Sequence, residues 1–142
     1  MLNRKKELEQ HYRETVYSVC IENKQFDIKI EKPLPTIIQE LVNKEKSAVI
    51  LTAWNPRSQI ASAEENKYRN EKLHSALNNY TIFKALGHGS DLSWPAEDSF
   101  FILGISRKEI EELAIEYDQY AYVWCESGKP ASLIFTHIWQ SL

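Results

Sequence analysis

AVILTAWNPRSQIASAEENKYR, residues 48–69 of the 142-residue chain, predicts a strand that passes through a loop into a helix. The run 48–54 is short and almost wholly apolar, as expected for a central strand covered on both faces of a sheet. An Asn-Pro pair ends this run. Ser62 and Glu65 then have the spacing of a capping box and predict a helix to about Tyr80.

The sequence around this stretch predicts about four helices and six or seven short strands. Thr36 with Gln39 and Ser106 with Glu109 repeat the capping-box spacing. The other predicted helices are 2–14, 36–46 and 106–117, and the other predicted strands are 15–21, 26–30, 81–86, 100–105, 120–125 and 131–135. Because strands and helices partly alternate and are partly joined as hairpins, we predict an α/β (α+β) fold. It consists of a single domain, 1–142, with a mixed sheet of about six strands and helices packed on it.

Composition argues against nucleic acid and membranes as partners. Hydrophobic residues make up 43% of the chain, enough for one core without disulfides or a structural metal. The 17 basic and 20 acidic residues give a net charge of −3, so no overall field attracts phosphates. The basic cluster Arg4-Lys5-Lys6 is followed by Glu7 and Glu9, as on a solvated helix face.

The cysteines and histidines predict a cytoplasmic protein without a metal or cofactor. Cys20 and Cys125 each lie in an apolar predicted strand, where a free thiol acts as a small hydrophobe. The N-terminus is charged where a signal peptide would be apolar. The four histidines have no metal-ligand spacing, and no glycine-rich phosphate or dinucleotide motif is present.

The junction between the strand and the helix is the candidate ligand site. Ligands of α/β proteins tend to bind just past strand ends, and a helix N-terminus favours an anion. We predict that the protein binds a small anionic or nucleotide-like ligand there, either as its whole function or as the first step of a reaction on that ligand. Arg57 and Arg69 would contact the anion, with hydrogen bonds from Asn55, Ser58 and Asn66.

A purely structural interpretation of the same residues stays open. In it, Asn55 caps the strand end, Ser62 caps the helix, Asn66 holds the loop backbone and Arg69 pairs with a carboxylate. Both interpretations are compatible in part, because buried polar groups need hydrogen-bond partners in either case.

Glu97 is the candidate catalytic residue, as a general base or as a partner of Arg69. It can reach Asn55 only if its strand runs antiparallel to the central strand. An ordinary ion pair at a strand end is the alternative. Ser58 and Ser99 lack a nucleophile elbow, and His88, between two glycines, is predicted to be a solvated loop residue.

A second function class is a non-enzymatic module that docks a protein partner. Trp94, Tyr120 and Trp139 would be its exposed aromatic contacts. Tyr12 and Tyr17 could stack on a base, although aromatic residues in a chain of this size mostly belong to the core.

Short motifs along nearly the whole chain resemble a known family. They are Tyr12-Arg13-x-Thr15-x-Tyr17, Thr52-Ala53-Trp54-Asn55-Pro56-x-Ser58, Ser62 to Asn66 with Arg69, Glu97-x-Ser99-Phe100 and Gln119-x-Ala121. The pattern resembles domain-of-unknown-function family 3293, and the resemblance implies a small stand-alone bacterial protein with no established activity. The family pattern has glycine before the glutamine, where this chain has Asp118, which predicts a different backbone there.

Overall fold

The computed structural model of the protein describes residues 3–89 and 94–142. This part of the chain forms five α-helices, seven β-strands and one 3-10 turn, Pro56–Ser58. The helices are α1 (Arg4–Glu14), α2 (Thr36–Glu45), α3 (Ala63–Ala76), α4 (Arg107–Glu116) and α5 (His137–Gln140). The strands are β1 (Val16–Ile21), β2 (Lys24–Lys29), β3 (Ser47–Leu51), β4 (Ile82–His88), β5 (Glu97–Leu103), β6 (Ala121–Glu126) and β7 (Ser132–Phe135).

All seven strands belong to one sheet, in the order β2-β1-β4-β5-β3-β6-β7. The predicted α/β class, with helices packed on a sheet, is confirmed. The sheet differs from the prediction in two respects. It has seven strands instead of about six, and every neighbouring pair of these strands is antiparallel, whereas a mixed sheet also contains parallel pairs.

The helical connections explain the antiparallel sheet. β3 and β4 are joined through α3 and run in the same direction, but β5 lies between them and runs the opposite way. In the same manner, α4 connects β5 to β6, and β3 lies between these two strands and runs antiparallel to both. A strand-helix-strand order gives a parallel pair only when the two joined strands are adjacent, and the sequence pattern does not specify adjacency.

Helices cover both faces of the central strand β3, as predicted. Ile50 points to the α2 face, where it belongs to a buried cluster with Ile38 and Val42 of α2. On the other face, the α3 face, β3 contributes Val49 and Leu51 to a second buried cluster. That cluster includes side chains of both α3 and α4. Alternate side chains of one strand thus join two cores, which explains why the whole run is apolar.

Two of the three predicted capping boxes mark helix starts. Ser62 accepts a hydrogen bond from the Glu65 N–H at 3.1 Å, and Ser106 accepts one from the Glu109 N–H at 3.1 Å. The prediction for Thr36 is wrong, because Thr36 is already the first residue of α2. The preceding Pro35 is the N-cap and has no side-chain hydrogen bond to offer.

The short helix α5 and the exposure of one cysteine were not predicted. Four residues are too few to show a helical period, yet α5 carries the buried Trp139. Cys125 is buried, which raises the pKa of its thiol to about 12, whereas Cys20 is exposed. The interpretation as a small buried hydrophobe therefore holds for Cys125 only. Within residues 3–89 and 94–142, every helix is too short or too polar to cross a membrane.

Candidate functional site

The loop after β3 has an unusual backbone. Asn55, Arg57 and Ser58 all have positive φ, at 47°, 54° and 56°. This left-handed region is uncommon for residues other than glycine, although asparagine tolerates it, and three such residues within four positions need stabilising contacts. The loop is therefore held in place by the side chains around it.

Two buried asparagines hold the loop. The Asn55 N–H donates to Oδ1 of Asn66 at 2.8 Å, and Nδ2 of Asn66 donates back to Oδ1 of Asn55 at 3.0 Å. The Ala61 N–H donates to the same Asn55 oxygen at 2.9 Å. The predicted structural roles of Asn55 and Asn66 agree with this geometry. Nδ2 of Asn55 takes no part in these three hydrogen bonds and can donate to another group.

Both arginines of the candidate site are engaged with the protein itself. Arg69 donates from Nε to the Ala53 carbonyl at 3.0 Å and from a terminal nitrogen to the Tyr117 carbonyl at 2.8 Å. Its carboxylate contacts are longer, at 3.8 Å to Asp118 and 3.9 Å to Glu65. Nε of Arg57 lies 3.2 Å from Oδ1 of Asp118. The two guanidinium groups therefore join the loop to the end of α4.

Asp118 explains how the end of α4 meets the loop. It has a φ of 55°, a backbone conformation that favours glycine, so aspartate stands here in a glycine-type position. Its carbonyl accepts the Arg57 N–H at 2.7 Å. The next residue, Gln119, donates from Nε2 to the Trp54 carbonyl at 3.0 Å and to the Tyr117 carbonyl at 3.2 Å. Gln119 thus reaches the junction.

Glu97 also reaches the junction, because β5 runs antiparallel to β3. The strand was predicted to begin at Phe100, but it begins at Glu97, beside the loop that follows β3. Oε2 of Glu97 accepts hydrogen bonds from Nδ2 of Asn55 at 2.7 Å and from Nε1 of Trp94 at 3.3 Å. Burial raises the pKa of Glu97 above its ordinary value, and these two hydrogen bonds oppose the increase.

A cavity of about 50 Å³ lies between α1, the α2 face of the sheet and this junction. Such a volume holds a few water molecules or one small polar group. We call it the Glu97 cavity. Its polar lining includes Tyr12, Tyr17, Asn55, Ser58, Glu97 and Gln119. Arg57, Asn66 and Arg69 do not line it.

Two tyrosines bring hydroxyl groups to the Glu97 cavity. The hydroxyls of Tyr12 and Ser58 lie 2.6 Å apart, which joins α1 to the loop across 46 positions of sequence. Burial, with Glu97 nearby, raises the pKa of Tyr12 and of Tyr17 above the usual range, so both are neutral hydroxyls. The sequence suggests their rings as stacking surfaces, and it gives no signal for their hydroxyls apart from the motif Tyr12-Arg13-x-Thr15-x-Tyr17.

A wider groove of about 320 Å³ lies between α3 and the strands β4 and β5. Lys67, Glu71, Lys84 and Asp98 on its walls are exposed charges of both signs. Exposed charges are well solvated and discriminate weakly between ligands. The Glu97 cavity, with its half-buried carboxyl, is therefore the stronger candidate site.

Two predictions about other side chains are wrong. His88 is not a solvated loop residue: it is the last residue of β4, and its Nε2 lies 2.9 Å from Oγ of Ser18. Tyr120 and Trp139 are only 5% and 4% exposed, so neither is available as a docking contact. The ring of Trp139 stacks on Phe135 at 4.3 Å instead.

The pH dependence of stability should reveal the half-buried Glu97 carboxyl. Because its pKa is raised in the folded chain, its stabilising contribution is complete below 4.5 and is lost as the pH rises through the folded pKa. The variant Glu97→Gln lacks this loss. We therefore expect its melting temperature, relative to wild type, to rise between about pH 4 and about pH 8.

Glu126→Gln is a matched control for this measurement. Glu126 also accepts a tryptophan N–H, from Trp124 at 3.1 Å, but hydrogen bonds there lower its pKa. The control should show a small change of opposite sign, since a lowered pKa stabilises the fold at high pH. A Glu97→Gln variant that behaves like Glu126→Gln would contradict a raised pKa at Glu97.

The fold and the site define an α/β protein with a seven-stranded antiparallel sheet and a small polar cavity around one buried carboxyl. The chain belongs to the family described as "Protein of unknown function (DUF3293)", whose family model matches residues 51–122. The matched region includes the junction, Glu97 and Gln119 but not Tyr12 or Tyr17. No curated protein and no solved structure matches the chain.

Proposed function

We propose that the protein binds a small molecule in the Glu97 cavity, with Glu97 as the group that contacts the ligand and can take up a proton from it. The observation that carries the proposal is the half-buried carboxyl of Glu97, held by two N–H donors at the wall of a cavity. A buried titratable group in a cleft is a frequent mark of a functional site. The same site suits binding alone and binding followed by proton transfer.

The geometry favours a ligand other than the anion that the sequence predicts. The guanidinium groups of Arg57 and Arg69 bind carbonyl groups and Asp118, and neither arginine lines the cavity. An anion in the cavity would instead approach the Glu97 carboxylate. The proposal therefore places a neutral or cationic group of the ligand against Glu97. The volume of about 50 Å³ fits one such group, not a whole nucleotide.

A thermal-shift screen tests the proposal. The panel contains small amines, amides, alcohols, carboxylates, phosphates and nucleotides, with wild type, Glu97→Gln and Arg57→Ala compared side by side. A ligand that binds only the folded chain raises its melting temperature. At a ligand concentration of a hundred times Kd, the free energy of unfolding increases by about 2.7 kcal/mol. We expect a shift that Arg57→Ala retains and Glu97→Gln loses.

Arg57→Ala is the matched variant because it removes the half-exposed guanidinium of the same loop. A shift lost in Arg57→Ala and kept in Glu97→Gln would overturn the proposal and restore the anion site predicted from sequence. A panel without any shift would also count against ligand binding in this cavity.

A further inference from the structure

We infer that the group of the ligand that enters the Glu97 cavity is a primary ammonium. The inference rests on the proposed function and specifies its ligand class. It depends on three properties of the cavity: its charge, its hydrogen-bonding groups and its size.

The charge of Glu97 has no partner within the described parts of the chain. None of the ion pairs within 4.0 Å in residues 3–89 and 94–142 includes Glu97. The titratable side chains of the cavity lining, apart from Glu97 itself, are His11, Tyr12, Tyr17, His88 and Tyr122. Neither lysine nor arginine is among the described residues that line the cavity. A cation from the ligand would balance a carboxylate that is otherwise costly to bury.

The side chains around the cavity offer acceptors for N–H groups. Both donors that reach Glu97 use Oε2, and Oε1 has no hydrogen-bond partner among the residues that the structure describes. Gln119 also lines the cavity, and its Nε2 donates to two carbonyl groups, which leaves the amide oxygen as the remaining acceptor of this side chain. An ammonium has three N–H donors and no acceptor, so it complements this set.

The size and the walls of the cavity favour a primary ammonium over larger cations. The volume of about 50 Å³ favours a compact group, and a primary ammonium is smaller than a planar guanidinium with its five donors. A quaternary ammonium has no N–H to give to Glu97. The aromatic side chains of Tyr12, Tyr17 and Trp94 also line the cavity, and an aromatic ring attracts a cation that meets its face.

Titration with ethylammonium chloride, followed by ¹H–¹⁵N NMR, tests the inference on the intact protein. The reporter is the indole N–H of Trp94, which shares Oε2 of Glu97 with Asn55. The internal reference is the indole N–H of Trp124, which donates to the carboxylate of Glu126 at 3.1 Å. The Glu126 side chain is exposed and pairs with Lys129. Three heavy atoms limit the affinity, so we expect a Kd of about 1 mM or weaker at about pH 7.5.

The expected result is a saturable shift of the Trp94 signal with ethylammonium but not with ethanol, tetramethylammonium chloride or sodium chloride. The Trp124 signal should change only linearly with the ethylammonium concentration and should not saturate, as expected for weak contacts with an exposed carboxylate. Glu97→Gln should weaken binding at least about tenfold, since it removes the charge of the partner, whereas Glu126→Gln should leave it unchanged. Binding should also weaken as the pH falls and Glu97 becomes protonated.

The outcomes separate this inference from the proposed function. If ethanol or acetamide saturates the Trp94 signal and ethylammonium does not, the ligand class is wrong and a ligand site remains. The same holds if binding strengthens at low pH, because a protonated Glu97 would then donate to an acceptor of the ligand. If none of these probes perturbs Trp94, the ammonium assignment fails and the thermal-shift panel decides the proposed function. Should Glu97→Gln fail to fold, the comparison of ethylammonium with ethanol on wild type decides the ligand class.

Discussion

Replacing Trp139 with alanine is expected to lower the free energy of unfolding by about 3–5 kcal/mol, the cost of removing a large aromatic side chain from a core. Trp139 is 4% exposed, stacks on Phe135 at 4.3 Å and meets Tyr120 edge-on at 5.6 Å. It also contacts the ring of Tyr12, with the centroids 6.2 Å apart. Urea unfolding of the variant measures the loss as a lower midpoint at unchanged slope.

Tyr68→Ala is the control for this prediction, because Tyr68 is 56% exposed. We expect it to change the stability by less than about 0.5 kcal/mol, as for most surface substitutions. A similarly small effect of Trp139→Ala would mean that Trp139 is a surface aromatic after all. Trp139 would then again be available as one of the exposed aromatic contacts of the docking hypothesis.

Asn66→Ala is expected to lower the free energy of unfolding by roughly 2–3 kcal/mol. The substitution removes the acceptor of the Asn55 N–H and a donor to Oδ1 of Asn55. Both Asn55 and Asn66 are only 2% exposed, so water cannot readily replace the lost partner. An unsatisfied buried polar group costs about 1–3 kcal/mol. Thermal or urea unfolding against wild type measures the effect.

Lys67→Ala on the same helix is the matched control, since Lys67 is exposed and its neighbour Asn66 is buried. Its expected effect is within about 0.5 kcal/mol. Asn66→Ala should also disturb the hydrogen bond from Asn55 to Glu97, so the Trp94 indole signal should move without any ligand. Equal stabilities of the two variants would show that the asparagine pair does not hold the loop.

The features that the sequence predicts correctly depend on short stretches of chain. Ser62 and Ser106 cap helices because the N–H that each accepts lies three positions further along. The apolar run of β3 predicts a strand covered on both faces, because alternate side chains need two cores. The same local pattern predicts a candidate site in the loop after β3, with its asparagines, but it predicts neither the left-handed backbone of the loop nor its contacts.

Only the tertiary structure decides which distant residues meet at the site. The position of β5 between β3 and β4 brings Glu97 to Asn55, 42 positions away, and α1 brings Tyr12 to Ser58. The same packing turns Arg69 toward two carbonyl groups instead of a ligand. Sequence alone therefore determined most of the helices and strands, two of the three predicted caps and the polar junction, because local hydrogen bonds and side-chain periodicity specify these features. The order of the strands and the cavity they enclose depend on which strands pair across long loops, and that choice is made by the packing of the whole chain.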